Sequence, residues 1–254
     1  MPKTIGFIPS RAKSSRFPDK PLADILGRPM VWWTYQRAKQ AKLLDELYVC
    51  TESEKIMKVC ESYNIPCLMT SDRHATGTDR LAEASSMVKG DLYFNIQGDE
   101  PMIEPENIDI AVKYMLDHPE TEVLNLKAEI TDTVDLINPT VPKVVSTLGD
   151  LCIYMSRAAV PFPKGAIDYK HYRQICIYGF KPSALKFFAD NPKQAPIERI
   201  EDIELLRFIE HGIPLKMIEV KAESIAVDTP NDLEKVRTIM AKAPWAKELL
   251  KNGN

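Results

Sequence analysis

The sequence predicts an α/β protein built on a doubly wound, mostly parallel sheet, and three observations carry that prediction. Short apolar runs of strand length alternate with segments of helical spacing as far as Ala128, the mark of successive βαβ units. The loop after the first apolar run, Pro9 to Lys20, gathers Arg11, Lys13, Arg16 and Lys20 at the sheet edge where such folds bind ligands. A later run, Asp91 to Gln97, leads straight into Gly98, Asp99, Glu100 and Pro101, which directs acidic residues to the same edge.

Taken in order, Thr4 to Pro9 reads as a buried strand, and Pro29 to Lys42 as a helix. Glu46 to Thr51 and Pro66 to Met69 read as strands on either side of a helix from Glu54 to Tyr63. Thr78 is placed to cap a helix through Leu81, Ala84 and Val88. Pro105 to Leu116 reads as a helix and Glu122 to Ala128 as a strand. The alternation then lapses. Pro142 to Ser146, Leu151 to Met155 and Gln174 to Tyr178 read as strands, so residues 138–181 are expected to form a smaller antiparallel or mixed sheet beside the main one. Helical spacing returns at Ser183 to Phe188 and Glu201 to Glu210, with a strand at Leu215 to Val220 and a last helix from Asn231 onward. There Thr229 or Asp228 precedes Pro230 as a helix start.

The 254 residues are 44% hydrophobic and 27% charged, which suits one globular domain over 1–254 with a substantial core. A net charge of -3 gives no overall attraction for nucleic acid or an anionic membrane, so neither is expected as a partner. No apolar run reaches the length of a membrane span or of a secretory signal, and a cytoplasmic location is expected. Cys50, Cys60, Cys67, Cys152 and Cys176 are odd in number and scattered, which fits reduced thiols and neither a disulfide framework nor a zinc site.

The chemistry is concentrated in the basic loop. Four cations beside one acid are unfavourable without an anion, and guanidinium groups match phosphate oxygens two at a time. The loop contains no glycine, so it is neither a P-loop nor a dinucleotide fingerprint, and side-chain cations must bind a polyphosphate in place of backbone amides. The plainer reading is a solvated surface loop. Asp99 would be repelled by that polyphosphate unless a divalent cation lay between them, which makes it a magnesium ligand or, more simply, a turn residue beside Gly98. Asp228 is a helix cap or, if it reaches the cleft, a second carboxylate for the same ion.

Six stretches, in this order, resemble the CMP-Kdo synthetases, the 3-deoxy-manno-octulosonate cytidylyltransferases: Ile8 to Leu22, Gly77 to Arg80, Asn95 to Pro101, Tyr154 to Ala158, Ile177 to Gly179 and Val227 to Pro230. The likeness runs to about Arg237 and leaves the tail 243–254 outside it. It implies a nucleotide-diphospho-sugar transferase fold, Mg2+ as cofactor, a homodimer formed through the smaller sheet, and transfer of CMP from CTP to a small anionic sugar. By the same resemblance, Pro9, Arg11, Ser14, Arg16, Lys20, Thr76, Gly77, Thr78, Arg80 and Gln97 would surround the nucleotide. Arg16 and Lys20 would act on the phosphates, with Asp99 and Asp228 holding the metal. Arg157, Gln174, Tyr178, Glu198, Glu201 and Leu205 fall where the family builds its sugar-acid pocket.

Two of these depart from the pattern. Gln174 stands where the family has His, and Leu205 where it has Gln. A leucine there is expected to leave an acceptor hydroxyl unpaired and to alter substrate choice. Thr76 replaces a Ser and keeps its hydroxyl. The expected activity is therefore a cytidylyltransferase for Kdo or a related acid. The alternatives are a different anionic acceptor, such as another sugar acid or a phosphonate, and an inactive nucleotide-binding regulator.

Overall fold

The computed structural model describes residues 2–12, 17–165 and 169–252. In its first half the strands are β1 (Thr4–Pro9), a two-residue hairpin of β2 (Asp24–Ile25) and β3 (Arg28–Pro29), β4 (Glu46–Thr51), β5 (Cys67–Met69) and β6 (Leu92–Ile96). Between and after them run α1 (Met30–Ala38), α2 (Glu54–Ser62), α3 (Gly77–Met87) and α4 (Pro105–Asp117). The second half adds β7 (Val123–Glu129), α5 (Thr133–Ile137), β8 (Lys143–Ser146), β9 (Cys152–Ser156) and β10 (Tyr172–Phe180). It closes with α6 (Pro182–Asp190), α7 (Pro196–Glu201), α8 (Leu206–Glu210), β11 (Leu215–Glu219), α9 (Pro230–Lys242) and α10 (Pro244–Asn252).

The main sheet has the order β11-β7-β10-β6-β1-β4-β5, and every neighbouring pair is parallel except those made by β10. All six residues of β1 are buried, as a strand covered by helices on both faces requires. Alternating side chains feed two cores. Phe7 and Tyr93 enter one with Leu81, Phe188 and Phe208, while Ile8 and Phe94 enter the other with Trp32, Trp33 and Ile108.

The expected antiparallel extension is present but joined to the main sheet. β10 runs through the centre between β6 and β7, and its first residues, Tyr172 and Arg173, also pair with β8, which pairs in turn with β9. Two further expectations change and one open alternative is resolved. Thr76, and not Thr78, caps α3, in a reciprocal pair with Asp79. Thr229 caps α9 in the same way with Asp232, so capping does not fall to Asp228. The helix expected from Glu201 to Glu210 is broken at Asp202, whose φ of 52° is left-handed, an excursion Asp tolerates better than most residues. The C-terminal tail packs on the domain: Trp245 meets Trp33 edge-on at 6.2 Å, Arg37 lies 4.4 Å over the Trp245 ring, and Ala246 is wholly buried. Among the described residues no helix is long and apolar enough to cross a membrane.

Candidate active site

Two strand exits meet at the carboxyl edge of the sheet. Chain passing from β6 presses so closely on the end of β1 that a Cβ on Gly98 would lie 2.5 Å from the Pro9 carbonyl oxygen, a contact only glycine avoids. Asp99 follows at once. A one-turn 3-10 helix, Lys20–Leu22, brings the Lys20 Nζ to 2.8 Å from Asp99 Oδ2 and 3.3 Å from Asp228 Oδ1. The Asp228 segment is tied in place by the Val227 amide, which donates to the Asp99 carbonyl at 2.9 Å, and by the Ser224 hydroxyl on the buried Glu100 carboxyl group. Burial on its own would lower the Lys20 pKa, but the two carboxylates outweigh it and hold the ammonium above its ordinary range.

These groups stand at the junction of a two-lobed cleft. The outer lobe, about 600 Å³, includes Pro9, Ser10, Arg11, Lys20 and Pro139. The inner lobe, about 220 Å³, includes Thr76, Gly77, Gln174, Tyr178 and Glu204. Arg11, Gln97, Asp99, Arg157 and Asp228 border both. Arg11 is oriented by a 3.0 Å bond from its guanidinium to the Ala75 carbonyl. Arg157 is held by the carbonyls of Glu201, Asp202 and Pro139 at 2.6, 3.0 and 3.0 Å.

Several residues expected at the site stand elsewhere. Arg80 is buried beneath it, paired with Glu52 at 2.8 Å and bonded to Thr70 and to the Ser71 carbonyl, so it braces the loop before α3. Thr78 is also buried and reaches the cleft only through its amide, which donates to Glu204 at 2.9 Å. Glu198 is wholly buried on Arg207, with bonds of 2.6 and 2.7 Å. Glu201 is occupied by Tyr154, Ser156 and the Arg157 amide at 2.9, 2.7 and 2.8 Å, and thus supports the wall from behind. Leu205 lies wholly buried in the core with Phe208 and Phe180, and its neighbour Glu204 faces the cleft in its place. Ser14 and Arg16 lie outside the described residues.

The placement of Leu205 reverses the expectation that it shapes acceptor choice. Leu205→Gln should bury an unpartnered amide and forfeit apolar contact, lowering stability by about 3 kcal/mol. Chemical denaturation measures this. An unchanged midpoint together with altered acceptor preference would return Leu205 to the pocket wall.

Sequence reasoning missed Glu204. Its carboxylate accepts from the Thr78 amide and, at 3.3 and 3.4 Å, from the Gln97 and Asn95 side-chain amides. Burial raises its pKa, and the Thr78 bonds oppose that. Nothing in one glutamate of an acidic helical segment signals this role; it follows from the break at Asp202.

The donor chemistry suits a hard divalent ion. Two aspartates converge on one ammonium where the two lobes join, and phosphate oxygens of a ligand would complete an oxygen shell. Among the described residues no group of three or more His, Cys, Asp or Glu forms a self-sufficient metal site, so a cation here would be shared with the ligand.

A family model described as Cytidylyltransferase matches residues 5–224. The 3-deoxy-manno-octulosonate cytidylyltransferase of Geobacter sulfurreducens is 40% identical over 242 residues, which cover 91% of this chain and 96% of that one. The enzyme of the same name from Escherichia coli is 36% identical, covering 95% and 98%. A structure of CMP:2-keto-3-deoxy-manno-octonic acid synthetase complexed with CTP superposes with a TM-score of 0.88 at 36% identity, covering 94% of this chain and 99% of that one. A shared fold alone would leave the chemistry open, but identity at this level across nearly the full length does not, and the chain belongs to the 3-deoxy-manno-octulosonate cytidylyltransferase family.

Proposed function

We propose that the protein transfers CMP from CTP to the anomeric hydroxyl of Kdo, or of a closely related 2-keto-3-deoxy sugar acid, with release of pyrophosphate. The observation that carries this reading is the meeting of Lys20, Asp99 and Asp228 where the two lobes join. The outer lobe takes the nucleotide, with Arg11 and Lys20 on its phosphates and Gln97 between nucleotide and acceptor. The inner lobe takes the sugar acid, offering Gln174, Tyr178 and Glu204 to its hydroxyls and Arg157 to its carboxylate. Among the described residues the buried Gln174 Nε2 has no hydrogen-bond partner, as a donor kept for a ligand would be.

Asp99 and Asp228 would hold Mg2+, which when bound neutralises phosphate charge and lowers the pKa of a coordinated hydroxyl. The protein's own work is positioning and charge stabilisation, the main demands of transfer at phosphorus. The acceptor hydroxyl loses its proton to solvent as its oxygen forms the new bond to the α-phosphorus, and the bond from that phosphorus to the oxygen bridging to the β-phosphate breaks, releasing pyrophosphate. Lys20 and Arg11 stabilise the charge left on pyrophosphate.

Pyrophosphate release from CTP with Kdo, other sugar acids and phosphonates tests the reading. Kdo or a close relative should give the highest kcat/KM. Tight CTP binding with no release for any acid would instead favour a nucleotide-binding regulator.

The cellular home of CTP supports a cytoplasmic reaction. A homodimer through the β8-β9 hairpin accounts for its exposed Leu148 and Ile153 and for the outer edge of β9, beside which, among the described residues, a single isolated bridge forms, from Leu151 just before the strand to Lys216. Sedimentation should therefore give twice the chain mass, and Ile153→Asp should reduce it to one.

A further inference from the structure

Lys143, the first residue of β8, is wholly buried. Its ammonium has three donors, and each meets a backbone carbonyl: Asn138 at 2.9 Å, Val141 at 2.7 Å and Arg157 at 2.7 Å. Asn138 and Val141 belong to the loop before β8, which puts Thr140 and Pro142 into the wall of the inner lobe. Arg157 belongs to the turn after β9, and its guanidinium reaches back to Pro139 and across to Glu201 and Asp202. Three segments distant in sequence are thus joined through two neighbouring cations.

The cost of this arrangement is evident. Burial pulls the Lys143 pKa down, Arg157 pushes it the same way, and only the more remote Glu201 and Asp135 oppose them. A desolvated ammonium held by neutral carbonyls is an expensive way to anchor a loop whose only task is to cover a core. It does fix the direction of three carbonyl groups, and with them the Arg157 backbone, more narrowly than apolar packing can.

We infer that Lys143 is a positioning residue for the acceptor: it sets the wall of the inner lobe formed by Thr140, Pro142 and Arg157 and thereby the binding of the sugar acid, without touching either substrate. This rests on the proposed division of the cleft into a nucleotide lobe and an acceptor lobe. Arg11 and Lys20, the described cations proposed for the nucleotide phosphates, are not among the partners of Lys143, so the two substrates should respond differently to its loss.

The test is Lys143→Met in the full-length protein, with KM for Kdo, KM for CTP and CTP affinity by calorimetry. The Kdo KM should rise about tenfold or more while CTP affinity stays within about twofold, a displacement effect of the kind remote mutations produce. Lys143→Arg keeps the charge but replaces three tetrahedral donors with a planar fork, and it should show the same split to a smaller degree. It carries the test if the Met variant does not fold. An unchanged Kdo KM, or equal losses for both substrates, overturns the inference. Should the wild-type protein turn over no acid at all, the functional reading fails and hydrogen exchange decides this inference separately. Faster exchange of the amides in 138–142 and at Arg157 in the arginine variant, with the Arg11 and Lys20 regions unchanged, supports it; unchanged exchange at 138–142 overturns it.

Discussion

Asp99→Asn should fold normally and lose turnover by about 10³-fold or more at saturating substrates. The fold does not depend on this carboxylate. Its side chain is partly exposed and bonded to Lys20, while the neighbouring segment is held by the Asp99 backbone carbonyl, which the variant keeps. Lys20 keeps Asp228 as a partner in the variant, so the loss of one partly buried charge-assisted bond costs about 2 kcal/mol. In the cleft, by contrast, Asp99 and Asp228 come from two distant segments to meet on Lys20, and asparagine removes half of that paired negative charge. Raising magnesium should restore part of the rate, because Asp228 remains. The measurements are kcat under saturating CTP and acid across a magnesium titration, beside a thermal melt. Near-normal turnover at ordinary magnesium would remove Asp99 from the site.

How much of this was legible in the sequence depends on how local the signal was. Strand β1 and the Gly98-Asp99 exit could be read because each rests on a contiguous apolar run, β1 and β6, whose end fixes where the following residues lie. Asp228 was ambiguous, since a residue before Thr-Pro is as good a cap as a ligand. The hydroxyl of Thr229 takes the cap, and that choice appears only in three dimensions.

Arg80, Glu198 and Glu201 were misplaced for a common reason. A charged residue in a site motif looks like a ligand contact, yet each is spent on internal pairs whose partners, Glu52, Arg207 and Ser156, lie far off in sequence or carry no pattern of their own. Leu205 shows the opposite failure. The break at Asp202 rotates the following turn so that Glu204 faces the cleft and Leu205 the core, and a continuous helix drawn through Glu201 to Glu210 cannot show it. The central position of β10 was also hidden, because strand order is set by long-range pairing and not by the segment itself.

Lys20→Met should have two effects of opposite sign: turnover falls by about 10²-fold or more, and divalent cations bind more tightly to the protein without nucleotide. In the structure Lys20 is the counter-ion of both aspartates, at 2.8 and 3.3 Å. Its raised pKa keeps it charged throughout the neutral range, so its pairing is complete there and is lost only as pH climbs through the folded pKa. A divalent ion arriving alone must therefore push one positive charge away from two carboxylates. Arriving with a triphosphate it need not, because the phosphates offer the ammonium a new partner as the metal takes the old ones. Metal and nucleotide should consequently bind the wild-type protein together. Removing the ammonium uncouples them, and a gain of about tenfold in affinity corresponds to only about 1.4 kcal/mol, well within one partly screened ion pair at this distance. Mn2+ titrated against each protein, with the free ion followed by electron paramagnetic resonance, measures it. Wild type should bind Mn2+ weakly until CTP is added, and the variant should bind it beforehand. Equal Mn2+ affinity of the two proteins without CTP would mean that the ammonium does not occupy the cation's place.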